Sequence, residues 1–173
     1  ISRPQTVQAS TDCILFRLDQ INFRLVVQKG ARNEDEKKIE FLRQVPALQE
    51  FDTTSLAKMA SAMDTYTFNK GDVLFYKGEE VKSFVVVQSG KLLAKEITLG
   101  GSTYEDLVIG PGETQQSLGF TSLVHGDPVA GHVVAKTDVR VLVIDGEAFK
   151  KYVGKYEHLV AKRSKYIQLS AMA

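Results

Sequence analysis

Apolar residues recur at two different periods along the chain, and the change of period divides it. Ile39, Phe41, Leu42 and Val45 fall on one face of a helix, because side chains three and four positions apart lie above one another on a helical surface. Asn33 followed by Glu36 has the spacing of a capping box, which predicts that this helix opens at Asn33. Pro46 cannot continue it and ends or kinks it. Asp52 is the expected N-cap of a second helix, in which Leu56, Met59, Ala60 and Met63 recur at helical spacing.

From Tyr66 the pattern shortens. Runs rich in Val, Phe, Leu and Ile alternate with turns at Gly71, Gly78, Gly90, Gly100-Gly101 and Gly110-Pro111-Gly112, as expected of antiparallel strands joined by tight hairpins. Val133 to Ile144 supplies two further strands, separated near Lys136-Thr137-Asp138. From Glu147 onward Phe149, Tyr152, Val153, Leu159, Val160, Tyr166 and Ile167 mark helical, partly amphipathic sequence. The predicted fold is α+β: an antiparallel jelly-roll-like β-roll flanked by N- and C-terminal helices.

An internal repeat lies at the N-terminus. Val7 and Val133 stand 126 positions apart, and at that shift Ala9, Thr11 and Asp12 match Ala135, Thr137 and Asp138. The same shift sets Asp19 on Asp145 and Phe23 on Phe149 without a gap. Residues 1–30 are therefore expected to be the C-terminal tail of a preceding copy, a strand pair and a helix, with 31–173 forming a complete domain. Strands without their barrel partners are expected to dock on a neighbour or pair between chains.

Composition narrows the function classes. The chain has 173 residues, 43% hydrophobic and 25% charged, enough for one well-cored domain with a fragment attached. Its 22 basic and 21 acidic residues leave a net charge of +1, so no overall field draws it to nucleic acid or to an anionic membrane. Cys13 is the only cysteine, which excludes an internal disulfide and makes the cytoplasm the expected compartment. No run of about 18 apolar residues offers a transmembrane segment. The start, Ile1-Ser2-Arg3-Pro4, lacks signal-peptide regions and opens in mid-pattern, as expected of a piece excised from a longer chain. No Gly-rich kinase loop, His-Arg-Asp or Asp-Phe-Gly occurs, so this segment is not expected to be an enzyme.

Three stretches carry a family resemblance: Phe41-Leu42-Arg43-Gln44-Val45-Pro46-Ala47-Leu48, then Phe68 to Gly78, then Val85-Val86-Val87-Gln88-Ser89-Gly90. Together they resemble the front half of a cyclic-nucleotide-binding domain. His125, His132 and His158 do not supply the close metal-ligand cluster of a cupin, the competing β-roll. The resemblance implies a phosphate-binding cassette: Phe-Gly-Glu, a short helix, then Pro-Arg-x-Ala-Thr/Ser-Val. In the family the Gly lets the backbone approach the ligand, amides at the start of the short helix face the cyclic phosphate, the Glu accepts the ribose hydroxyl and the Arg pairs with the phosphate.

Counting back from Pro128 sets Leu118-Gly119-Phe120 on Phe-Gly-Glu, followed by Thr121, and sets Val129-Ala130 on Arg-x. Counting forward from Gly112 sets Ser117 on the Glu instead. Neither register supplies the acid, and Glu113 is the nearest carboxylate upstream. The expectation is that Phe120 and Val129 fill the space a ligand has vacated. Losing both charged partners forfeits about 1.5–3 kcal/mol each, roughly a hundred-fold to ten-thousand-fold in affinity. At the repeat shift Arg3 lies opposite Val129, and Arg3-Pro4-Gln5-Thr6-Val7 keeps the arginine and the hydroxyl residue, so the preceding copy looks ligand-competent.

Tandem copies, one degenerate, resemble the regulatory region of cyclic-GMP-dependent protein kinases of the multi-repeat protozoan type. That resemblance implies cGMP or cAMP as ligand of the parent protein and no cofactor for the complete repeat itself. It also implies neighbouring repeats and a kinase domain in the same chain as partners, with neither nucleic acid nor a transmembrane segment. The expected role is to pass conformational change between repeats. The alternatives are a sensor of an uncharged nucleoside-like ligand, and a regulatory subunit or assembly scaffold of a cAMP-type system.

Overall fold

The computed structural model describes residues 8–14 and 19–153, in two units that divide between Glu34 and Asp35. In the first unit, residues 8–14 carry no strand, and the remainder of the expected strand pair, with Arg3 and Thr6, lies outside the described residues. Asp19 then opens a helix, α1 (Gln20–Gln44). Its carboxylate accepts the backbone N–H of Asn22 at 2.8 Å and the Asn22 side-chain amide at 2.6 Å. The backbone bond from Asn22, then its side-chain bond, hold the Asp19 carboxyl below its ordinary pKa.

Asn33 is not a helix start, contrary to the capping-box expectation, because α1 already runs through it. Gly30 sits in the helix interior, where glycine costs about 1 kcal/mol relative to alanine, too little to break a helix capped upstream and followed by good helix formers.

In the second unit Leu42 and Val45 are fully buried, and α1 gives way at Pro46 to a 3₁₀ turn, Pro46–Leu48. Helix α2 (Thr53–Ala62) starts where Asp52 accepts the Ser55 N–H at 2.8 Å. Leu56, Met59, Ala60 and Met63 are buried as their spacing requires.

Ten strands follow: β1 (Asp64–Phe68), β2 (Val73–Phe75), β3 (Ser83–Ser89), β4 (Leu92–Lys95), β5 (Thr98–Leu99), β6 (Ser102–Thr103), β7 (Leu107–Ile109), β8 (Ser117–Leu118), β9 (His132–Ala135) and β10 (Val139–Asp145). They form two four-stranded antiparallel sheets, ordered β1-β10-β3-β8 and β2-β9-β4-β7, plus a β5-β6 hairpin. Helix α3 (Phe120–His125) lies between β8 and β9, and α4 (Gly146–Val153) follows β10. The helix–roll–helix order and the α+β β-roll are as the sequence pattern indicates. Of the expected C-terminal helix, Leu159, Val160, Tyr166 and Ile167 lie outside the described residues.

Two apolar cores explain the unbroken runs Phe84–Val87 and Val141–Ile144. Val85, Val87, Val139 and Val141 face the space between the sheets, with Leu92, Ala94, Ile109, Val133 and Ala135. Phe84, Val86, Leu142 and Ile144 face outward onto Leu42, Leu48, Leu56, Met59, Phe120, Leu123 and Phe149. A strand buried on both faces loses the polar alternation of a half-exposed one.

The turn after β3 needs a glycine for two reasons. Gly90 has φ +80°, and a Cβ there would stand 2.1 Å from the Asp138 carbonyl oxygen, so the β3–β4 hairpin and the β9–β10 turn meet backbone to backbone.

Asp52→Ala should lower the unfolding free energy by about 1 kcal/mol, the usual worth of an N-cap side chain, measured by urea denaturation. For Asp19 the depressed pKa sets the sign. Its cap is present above the ordinary Asp range and is lost as pH falls through the lowered value, so the Asn22 amide should lose exchange protection only below about pH 4.

Candidate ligand cassette

The segment joining β8 to β9 is built around one left-handed residue. Gly119 has φ +90° and ψ −8° at the N-cap of α3. A Cβ on it would lie 2.6 Å from the Ser83 carbonyl oxygen and 3.0 Å from the Val81 side chain. Only glycine fits, which brings the α3 entry hard against the start of β3. Gly126, also left-handed, closes α3 with its N–H on the Ser122 carbonyl.

Phe120, the first residue of α3, is 6% exposed, but its ring is not inside the roll. It meets Phe149 edge-on at 5.3 Å and Phe84 edge-on at 6.0 Å, while Phe84 and Phe149 stack at 4.4 Å. This corrects the expectation that Phe120 fills a vacated ligand space. The ring turns onto the outer face of β3 because Phe84 and Phe149 offer it an aromatic partner set, worth about 0.5–1.5 kcal/mol per pair beyond burial. Helix α4 is held by those rings and at its first residue, where Gly146 donates its N–H to Lys82 O at 2.8 Å and a Cβ would stand 2.7 Å from Leu123 Cδ2.

The downstream half of the cassette is fastened by backbone bonds. Val129 is half-buried; its N–H donates to Glu79 O at 2.9 Å and its carbonyl accepts the Gly78 N–H at 2.8 Å. Ala130, also half-buried, accepts from Thr98 N at 2.9 Å, and Thr121 is half-buried on α3. His132 occupies the hydroxyl residue's place; its Nδ1 accepts the Lys77 N–H at 3.3 Å and its ring meets Tyr76 edge-on at 6.1 Å. The other acid candidates stand elsewhere. Ser117 is buried in β8 opposite Val86, and Glu113 pairs with Lys91 at 2.7 Å in the turn after β7. Among the described residues no group of three His, Cys, Asp or Glu side chains could hold a metal ion.

The model of the cyclic nucleotide-binding domain family matches residues 66–156, more than half of the chain, and runs from within β1 through the cassette and α4. The chain belongs to the cyclic nucleotide-binding domain family. Human cGMP-dependent protein kinase 2 is 28% identical over 159 residues, covering 91% of this chain and 21% of that protein. The cAMP-dependent protein kinase regulatory subunit of Colletotrichum orbiculare is 28% identical over 160 residues, covering 92% of this chain and 39% of that one. The chain thus spans well under half the length of these curated relatives.

Among solved structures, the regulatory subunit of a cAMP-independent protein kinase A from Trypanosoma cruzi bound to guanosine superposes with a TM-score of 0.64. It is 21% identical and the match covers 86% of this chain and 52% of that one. This is a regulatory domain of the cyclic nucleotide-binding domain family, related to cGMP-dependent kinases and to regulatory subunits of cAMP-dependent kinases. No helix among the described residues is long and apolar enough to cross a membrane.

The aromatic cluster was not apparent from the cassette alignment. The signal available was the Phe23–Phe149 match of the repeat, which marks position 149 as structurally demanding. Truncating the central ring, Phe149→Ala, should cost about 3–5 kcal/mol. Gly119→Ala should cost at least about 1 kcal/mol through its left-handed φ alone. Thermal unfolding of both variants beside the parent chain measures these losses.

Proposed function

We propose that this cyclic nucleotide-binding-type domain is degenerate for cyclic nucleotide and acts as a relay between repeats in a cGMP-dependent protein kinase. The observation that carries the reading is the fate of position 120. Where the family's cassette sets the ribose-pairing acid, this chain has a phenylalanine whose ring is committed to Phe84 and Phe149. No arginine stands between Gly119 and His132 to neutralise a phosphate. The 28% identity with cGMP-dependent protein kinase 2 supports the kinase assignment; in a cAMP-type regulatory subunit the same domain would serve the same relay. The parent chain would act in the cytoplasm, bind cGMP or cAMP elsewhere, and carry the kinase domain.

The relay needs a neighbour, and residues 1–30 fit the tail of one. Asp19 caps the residue three places on, Asn22, at 2.8 Å, and its repeat counterpart Asp145 reaches Ala148 N, also three places on, at 3.4 Å. Phe23 is 56% exposed whereas its counterpart Phe149 is fully buried, consistent with a ring whose aromatic partners belong to a preceding roll.

Calorimetric titration with cGMP or cAMP should show no saturable binding in the micromolar range; a micromolar dissociation constant would overturn the reading. The double change Phe120→Glu with Val129→Arg should recover weak binding, and neither single change should suffice, because a lone buried charge carries its own desolvation cost. Since Phe120 packs in the helical core, that double variant should also melt below the parent. A second reading, a sensor of an uncharged nucleoside, is favoured by the guanosine-bound structural relative. Thermal shift with guanosine and adenosine separates the two, since a saturable rise in melting temperature supports the sensor and none supports the relay.

A further inference from the structure

At the β1–β2 edge of the roll the two sheets are not closed on each other by hydrogen bonds, since β1 pairs only with β10 and β2 only with β9. A cavity of about 290 Å³ lies there, lined by Tyr66, Phe68, Leu74, Phe75, Ser83, Val85, Val141 and Val143. The lining contains none of the cassette positions.

Its shape follows from strand register. Tyr66 lies opposite Val141 and Val85 opposite Val143, so these side chains project from one face of the sheet toward Leu74 and Phe75 on the other. The β2–β9 pairing shifts register between Val73 and Phe75, which bends β2 locally at this edge. Tyr66 is 51% exposed, so the cavity opens to solvent beside its ring.

The chemistry of the walls selects the occupant. Three aromatic rings and four aliphatic side chains offer apolar contact, and the two hydroxyls, of Tyr66 and Ser83, make no side-chain hydrogen bond to a described residue. No lysine or arginine lines the space. The charged residues nearest in register on that face are acids: Asp64 opposite Val143 and Asp145 opposite Ser83. A phosphate would meet repulsion, whereas a neutral aromatic ligand would cover half-exposed apolar surface and satisfy a free hydroxyl. An apolar cavity of about 150 Å³ holds a benzene, so this one has room for two fused rings.

We propose that the cavity between β1, β2, β3 and β10 is a second ligand site, for an uncharged bicyclic aromatic molecule carrying one hydrogen-bonding group. The site shares no lining residue with the cassette positions, although Ser83 touches Gly119, and it does not rest on the relay reading.

The test is titration of the unmodified chain, methyl-labelled at Leu and Val, with 2-naphthol and with naphthalene, followed by NMR. Saturable shifts centred on Leu74, Val85, Val141 and Val143 are expected. Ser83→Ala should weaken 2-naphthol several-fold and leave naphthalene unchanged, and Val143→Phe, which fills the space, should weaken both by roughly tenfold or more. The proposal is overturned if neither probe saturates, if the shifts centre on Leu92, Leu107 or Val129, or if a folded Val143→Phe chain binds unchanged. Should that variant fail to fold, the shift map of the unmodified chain decides alone.

Discussion

The pairing of β3 with β10 is the constraint on which the other elements depend, because these two strands are buried on both faces. Val85, Val87, Val139 and Val141 close the inside of the roll, while Phe84, Val86, Leu142 and Ile144 form the floor on which α2, α3 and α4 rest. Alternate residues of one strand thus serve two cores. A change of register by one residue would exchange the two faces, moving Phe84 into the roll and leaving Phe120 and Phe149 without their stacking partner. The hairpin turn at Gly90, seated against Asp138, keeps that register by tying the end of β3 to the start of β10.

From that floor follows the packing of α3 against α4. The left-handed Gly119 presses the start of α3 on the Ser83 carbonyl. The first helical side chain, Phe120, sets its ring against Phe84 and Phe149. A carboxylate there would have to remain near water or a ligand hydroxyl, since burying it among Phe84 and Phe149 carries a heavy desolvation cost. A phenylalanine meets the opposite demand and couples α3 directly to α4.

Much of this was legible beforehand because it rests on local rules. The Asp52 cap, the buried stripe of α2, the Pro46 break and the glycine turns each follow from one residue type in one place. The start of α1 was not, because Asn33-Glu36 satisfies the capping pattern while Asp19 already supplies a cap upstream, and a helix under way does not restart. The cassette positions could be numbered from Pro128, but the direction of Phe120 could not, since it depends on Phe84 and Phe149, 36 residues before it and 29 after. The open β1–β2 edge was equally hidden. Tyr66 and Phe68 alternate as any inward-facing strand does, and only the pairing of the sheets shows that no described residue fills the space before them.

The central claim is that α3 and α4 are held together by the chain's own aromatic residues, without cyclic nucleotide. Amide hydrogen exchange at Leu123, Gly126, Gly146 and Phe149, compared with and without millimolar cGMP, tests it most directly. The account requires the same protection in both conditions, together with a marked loss at all four amides in Phe120→Ala. Protection that rose on adding cGMP, or that survived the loss of the Phe120 ring, would contradict it.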